Sequence, residues 1–329
     1  MNFYTPVELP TNLPRLTHAD RLMCLGSCFA TNMGIKLTDA KFSCDVNPYG
    51  VLYNPLSISA ALREISIGKK YDSDQLFFFR ECWHSPMHHG DFSSADAEVV
   101  LQCINGRLQE AHNNLSKVDY LLLTFGTAWV YESKDTGQIV ANCHKQPEVN
   151  FTRRKLSIEE IVLDYKTLLA DLFLQNPKLK VLFTVSPIRH VRDGLHANNL
   201  SKATLLLAIE QLQVAFPDQV FYFPAYELLI DELRDYRFYA EDMVHPSEVA
   251  VRYVWERFVQ TCISADALQI MEESENIHKA LSHKPFHPES DEYKRFLGQI
   301  VLKIDRLNGK YPYLDFKKEK DICRIRLKA

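Results

Sequence analysis

A three-layer α/β fold with a mostly parallel five-stranded sheet is the class this sequence predicts, and two observations predict it. The first is a set of apolar runs bounded by turn residues, at 21–26, roughly 43–47, 119–125, 179–185 and 219–223. Three of them are near-continuous runs of Leu, β-branched or aromatic residues, the pattern of parallel strands covered on both faces. The second is that helical patterns separate these runs. Alternation of strand and helix is how a doubly covered sheet is written into a chain.

In chain order, the apolar run Leu22 to Leu25 ends abruptly at Gly26. Ser27 and Cys28 follow, then Phe29 to Leu37, which can turn into a helix. Residues 56–67 follow Asn54-Pro55 and read as a helix, as do 96–114 with apolar residues at helical spacing. Ser157-Ile158-Glu159-Glu160 is a capping-box pattern that opens a helix over 157–175. Residues 199–215 are apolar on one side. Residues 68–95 and 131–156 read as irregular insertions, loops over the sheet's carboxyl edge, where ligands bind in such folds. After Ser264 the composition shifts: 265–283 and 289–308 look helical and strongly charged, with a Lys-rich tail to Ala329. The expected organisation is one domain over 1–263 and a helical C-terminal extension over 264–329.

Composition narrows the function classes. The chain is 46% hydrophobic and 24% charged, ordinary for a globular protein. A net charge of −4 gives no electrostatic reason to expect nucleic acid. No apolar run is long enough to span a membrane, and Met-Asn-Phe-Tyr-Thr-Pro lacks a basic-then-apolar signal pattern, so the expected location is cytoplasmic. Eight cysteines stand at 24, 28, 44, 82, 103, 143, 262 and 323 without a Cys-x-x-Cys pair, which fits free thiols in a reducing compartment. His84, His88 and His89 with Asp91 could form a metal site, but adjacent histidines point apart unless the loop bends, so no metal and no cofactor are expected. The sequence carries no signal for an oligomeric state.

Two stretches carry chemistry. Leu25-Gly26-Ser27-Cys28-Phe29 places two nucleophile-bearing residues between a strand and a helix start, where the helix N-terminus stabilises negative charge. Asp242-Met243-Val244-His245-Pro246 places a carboxylate three residues before an imidazole, on a loop ahead of a helix expected to start at Pro246. There the carboxylate can hold one ring nitrogen while the other faces a nucleophile.

These stretches, with Asn47-Pro48-Tyr49-Gly50, Thr124-Phe125-Gly126-Thr127, Asn142-Cys143-His144-Lys145-Gln146-Pro147 and Ser186-Pro187-Ile188-Arg189-His190, resemble the GSCFA family over roughly 20–260. The family takes its name from Gly26-Ser27-Cys28-Phe29-Ala30 as it stands here. The family itself looks like a branch of the SGNH/GDSL hydrolases. That resemblance implies an SGNH-like (flavodoxin-like) fold and a hydrolase acting on ester bonds of a small-molecule or carbohydrate-ester substrate, with transfer to an acceptor as an alternative. A non-catalytic binding module on the same fold is a second alternative.

In the SGNH pattern the first strand ends in Gly-Asp-Ser and the Ser attacks. Aligned without a gap, Ser27 stands at the Asp and Cys28 at the Ser, which favours Cys28 as nucleophile and keeps Ser27 as its rival. A Cys28 near a helix start and near His245 should have a lowered pKa. The same resemblance makes His245 the base and Asp242 its orienting partner. It offers Gly50 as a backbone oxyanion donor. The third block usually contains Gly-x-Asn, but here Gly126-Thr127-Ala128 has Ala128 at the Asn position. Thr127 is one substitute donor; Asn142 or His144 is another. Lys145, Arg189 and His190 are placed for polar substrate groups.

Overall fold

The computed structural model describes residues 4–283 and 285–328; of the opening hexapeptide, residues 1–3 lie outside them, as does the terminal Ala329. Five parallel strands form the central sheet: β1 (Arg21–Gly26), β2 (Ser43–Val46), β5 (Tyr120–Phe125), β9 (Lys180–Val185) and β10 (Val220–Tyr222), in the order β10-β9-β5-β1-β2. Counted along this sheet alone the order is 2-1-3-4-5, that of doubly wound flavodoxin-like sheets. The order reverses between β1 and β5, so a crevice opens at their carboxyl ends. Gly26 pairs with Thr124 across that seam, which puts Gly26 and Gly126 on one edge of the sheet.

Alternation along each strand explains the layers. Met23, Leu25, Leu121, Leu123, Phe125, Val181 and Phe183 face one side, where they pack with α2 (Pro55–Ser66), α3 (Ala97–Leu115), α4 (Ile158–Gln175) and α5 (Gly194–Ala215). Leu22, Cys24, Leu122, Leu182 and Phe221 face the other side, against α1 (Cys28–Asp39) and α7 (Glu248–Cys262). Two short elements, α6 (Ala225–Glu227) and a π-type turn over Leu228–Leu233, lead from β10 towards α7. The capping box at Ser157 forms as expected, with Glu160 returning to the Ser157 amide.

The two insertions are more regular than the sequence suggests. The first holds a hairpin, β3 (Phe77–Phe79) and β4 (Cys82–His84). The second, with the end of the preceding block, holds a three-stranded antiparallel sheet of β6 (Trp129–Ser133), β7 (Ile139–Val140) and β8 (Phe151–Lys155). Strands this short have too few residues to show a period.

The C-terminal extension is three helices: α8 (Ala265–Ser282), α9 (Asp291–Lys310) and α10 (Lys317–Lys328), so most of the expected Lys-rich tail is helical. They share a core built on Leu297, Ile304, Phe316 and Cys323. Ala267 of α8 packs into the core under α7, while Ile270 belongs to the C-terminal core. Lys41 meets Glu319 at 2.7 Å, a second tie between the extension and the α/β unit.

Candidate active site at the switch point

The turn after β1 is tightly built. Gly26 has φ +144°, and a Cβ there would lie 2.2 Å from the Thr124 carbonyl oxygen, so a side chain is excluded by both conformation and space. Asn47 braces the turn: its Oδ1 accepts from the Gly26 amide at 2.9 Å and its Nδ2 donates to Thr31 Oγ1 at 2.8 Å. Ser27 then occupies the N-cap position of α1 in extended conformation, and Cys28 is the first helical residue.

The turn separates the two candidate nucleophiles. Ser27 is 1% exposed, and its Oγ is buried without a hydrogen-bond partner. Cys28 is half-buried and lines a cleft of about 810 Å³, which His245, Tyr53, Asn142, His144, Lys145, Arg189 and His190 also line. The thiol, not the Ser27 hydroxyl, faces this space.

Electrostatics at Cys28 run against the expectation of a lowered pKa. Burial pushes the thiol up; the Cys28 and Phe29 amides at the start of α1 and the Lys202 charge pull it down, and burial wins. The helix N-terminus acts in the direction expected, but the burial of the thiol is set by tertiary packing that the sequence does not show.

Asp242 and His245 form the expected pair. Asp242 Oδ2 accepts from His245 Nδ1 at 2.5 Å, and Oδ1 accepts from the Val244 and His245 amides at 3.0 and 2.9 Å. Those two amide bonds first, and then the ring, hold the Asp242 carboxyl down at about 2. Both side chains are about half exposed. The loop is tied to its surroundings by Arg189 N–H to Val244 O at 3.1 Å and by Ala240 N–H to His245 O at 2.8 Å. The following helix starts at Glu248 with Ser247 as N-cap, not at Pro246, which instead bridges Tyr239. Among the described residues no hydrogen bond joins His245 to Cys28; they meet as two walls of one cleft.

The expected backbone oxyanion donors are already engaged. The Gly50 amide donates to Asn47 O at 2.8 Å, and a Cβ on Gly50 would meet His89, so Gly50 serves a tight turn rather than the cleft. The Gly126 and Thr127 amides both donate to Tyr53 O, at 2.8 and 2.9 Å. The Thr127 hydroxyl is spent on Ser201 Oγ and the Trp129 amide. Ala128 is fully buried and its amide bonds Ser201 Oγ, so this position points into the core. Asn142 lines the cleft, with its Oδ1 accepting from the His144 amide at 2.8 Å. His144 spends Nε2 on the Ser85 carbonyl at 2.8 Å, and burial lowers its pKa. The amides left facing the thiol are those of Cys28 and Phe29.

Lys145 is exposed on the rim. Arg189 reaches Asn199 Oδ1 at 3.2 Å, while its Nε is buried without a partner. His190 packs edge-on to Tyr53, and burial, then the Lys202 and His245 charges, lower it to about 4, so the ring is neutral near pH 7. The sequence reading missed two other groups. Arg153 is clamped in a bidentate pair with Asp193 and lies 4.6 Å from the Trp129 ring centre. Lys202 is buried beneath the site. A lysine inside the apolar pattern of a helix was the available signal for it.

The three inserted histidines are used separately. His84 bonds Ser93 Oγ and Phe79 O, His88 bonds Ser85 Oγ under Tyr49, and His89 pairs with Asp91. Among the described residues no group of three or more His, Cys, Asp or Glu side chains is placed to hold a metal ion. A slightly larger cleft of about 910 Å³ lies across the 139–146 segment, beside Arg63, Glu64 and Lys69, away from Cys28 and His245.

Fold and site together define an α/β protein that presents a thiol at the first strand-to-helix turn of a doubly wound sheet. The GSCFA family model matches residues 21–258, and the model described as the GSCFA domain protein, C-terminal domain, matches 274–329. The chain belongs to the GSCFA family. A comparison with curated proteins finds no match. No helix of the described residues is long and apolar enough to cross a membrane.

Proposed function

We propose that this protein is an SGNH-type acyl hydrolase that works through a thioester on Cys28. The observation that carries the reading is the shared cleft: the Cys28 thiol and the Asp242-braced His245 line it, at the carboxyl edge of the sheet. His245 takes the thiol proton as Cys28 Sγ attacks the acyl carbonyl. A resting thiol is compatible with this order, because the proton need move only as the new bond forms. Asp242 holds Nδ1–H and stabilises the imidazolium. The Cys28 and Phe29 amides at the start of α1 are the donors available to the oxyanion. The alcohol leaves with the proton from His245, and water activated by the same imidazole releases the acid. An acceptor hydroxyl in place of water makes the reaction a transfer.

A cleft of about 810 Å³ suits a small acylated molecule or sugar ester. Eight free cysteines suit a reducing, cytoplasmic setting. One observation favours a second reading, a binding module without chemistry. The Gly50, Gly126 and Thr127 amides are all committed within the protein, which leaves a sparse oxyanion site.

Hydrolysis of an aryl acetate by the parent and by Cys28→Ala, Ser27→Ala and His245→Ala separates the two. The enzyme reading expects turnover lost with Cys28→Ala and His245→Ala and only weakened with Ser27→Ala. Turnover that survives all three changes is background and defeats the mechanism. Loss with Ser27→Ala but not Cys28→Ala would move the nucleophile to Ser27.

A further inference from the structure

The spacing in the sequence makes α5 apolar on one side; in the structure it is apolar on two. One side, with Leu205, Ala208, Ile209 and Leu212, is buried in the core. The opposite side exposes Leu200, Ala203, Leu207 and Val214, whose spacing keeps them in one outward line along the helix. α4 packs beside α5 and repeats the pattern: Leu163, Thr167, Ala170 and Leu174 are its outward line. Leu163, Leu174 and Val214 are 72%, 82% and 78% exposed. Neither line holds a charge; Lys166, Asp171 and Glu210 stand beside them. The other long helices on the sheet show what an outer face looks like when water covers it. α3 exposes Gln102, Gln109 and Glu110, and α7 exposes Arg252, Glu256 and Gln260. A helix that is apolar on both sides belongs between two layers, and on α5 the second layer is missing from the single chain.

Size and register point to the occupant. α5 has 22 residues and α4 has 18, so at the usual rise they are about 33 and 27 Å long. Side by side, with axes about 10 Å apart, they offer a flat footprint of about 600 Å². Side-chain relief raises the accessible area of that footprint towards the roughly 800 Å² per partner that a stable interface buries. The two lines are also complementary to themselves. A two-fold axis crossing both helices lays each antiparallel on its own copy. On α5, Leu207 then meets Leu207 of the second copy, Leu200 meets Val214, and the small Ala203 faces Gln211. On α4, Leu163 meets Leu174 and Thr167 meets Ala170, while Lys166 comes level with Asp171 of the second copy, an opposite charge at the rim. A partner of different sequence is selected by complementary charge, which neither line provides.

We propose that the outward faces of α4 and α5 are the interface of a homodimer, on which a second copy of this chain docks in antiparallel two-fold register. The apolar lines then leave water on both copies at once, and the pairing closes with no apolar face left over to continue into a filament. The interface lies on the outer helical layer and involves neither Cys28 nor His245, so the inference stands apart from the proposed reaction.

The test is sedimentation velocity of the full chain over a range of about 1 to 100 μM, in the parent and in two variants. The parent should sediment at twice the chain mass with a micromolar or tighter Kd. Leu207→Glu sets two carboxylates against each other at the axis and should weaken the dimer by about a hundredfold or more. Val214→Glu changes a side chain that is still more exposed in the single chain, so it decides the matter if Leu207→Glu does not fold; it should weaken the dimer by about tenfold or more. A parent that is monomeric throughout leaves this face to a different protein and overturns the proposal. A dimer that persists unchanged in the folded variants is joined elsewhere and overturns it too. The register is checked with Leu207→Cys and a short bismaleimide: mass spectrometry should find the 207 peptide linked to itself, and a dimer lacking that product refutes the two-fold register. None of these readouts depends on ester hydrolysis, so the failure of the proposed function and the failure of the dimer are told apart.

Discussion

The two walls of the cleft are built in opposite ways. The nucleophile turn is locked from every side, by a Gly that admits no side chain, by Asn47 and by the packing of β1 against β5. The Asp242–His245 loop is half exposed and braced mainly by its own amides. The turn can therefore be changed only at a cost to folding, whereas the loop can be changed with a cost chiefly to function. Under the proposed mechanism, precision is concentrated at the attacking thiol, and the imidazole sits on the more exposed wall.

The largest effect expected is at the locked wall. Gly26→Ala must displace the Thr124 carbonyl, and by denaturant unfolding it should cost about 3 kcal/mol or more. A loss under 1 kcal/mol would mean the turn is not locked. Asp242→Asn comes next: it keeps an acceptor for the Val244 and His245 amides but disturbs the tautomer of His245. Ester turnover should fall by about a hundredfold or more while stability changes little. An equal loss of stability would erase the contrast between the walls.

Asn47→Ala removes both bonds that brace the turn and should cost about 1–2 kcal/mol, with slower alkylation of Cys28. Unchanged unfolding and unchanged labelling would show the brace to be idle. The smallest effect concerns pH. Burial lowers His88 to about 3 and His190 to about 4, so both stay neutral in the folded protein while the unfolded chain takes up protons below about 6.5. Stability should therefore be flat above that value and fall with decreasing pH through these folded values. His88→Asn should flatten the slope of melting temperature between about pH 6 and pH 4, whatever it does to the temperature itself. A slope identical to the parent's would remove His88 from the account.

Much of the fold was legible in the chain because its signals are local. Apolar runs bounded by turn residues mark the five central strands, three of them near-continuous, and the capping box at Ser157 marks the start of α4, each readable within a few residues. The Asp242–His245 contact was readable for the same reason, since three residues on a loop keep a carboxylate within reach of the ring. The small strands in the insertions were not, because they are too short to show a period.

By itself the sequence determined the central strands and helices, their alternation, and the order of the glycine, serine and cysteine at the first turn, since these follow from side-chain type and spacing. Only the tertiary structure decided what each group faces. Pairing of β1 with β5 sends Ser27 inward and Cys28 into the cleft. The Tyr53 carbonyl takes the Gly126 and Thr127 amides out of use, and α5 carries Lys202 beneath the turn. Hydrogen-bond commitment and burial are set by partners far away in the chain, and no local pattern of residues encodes them.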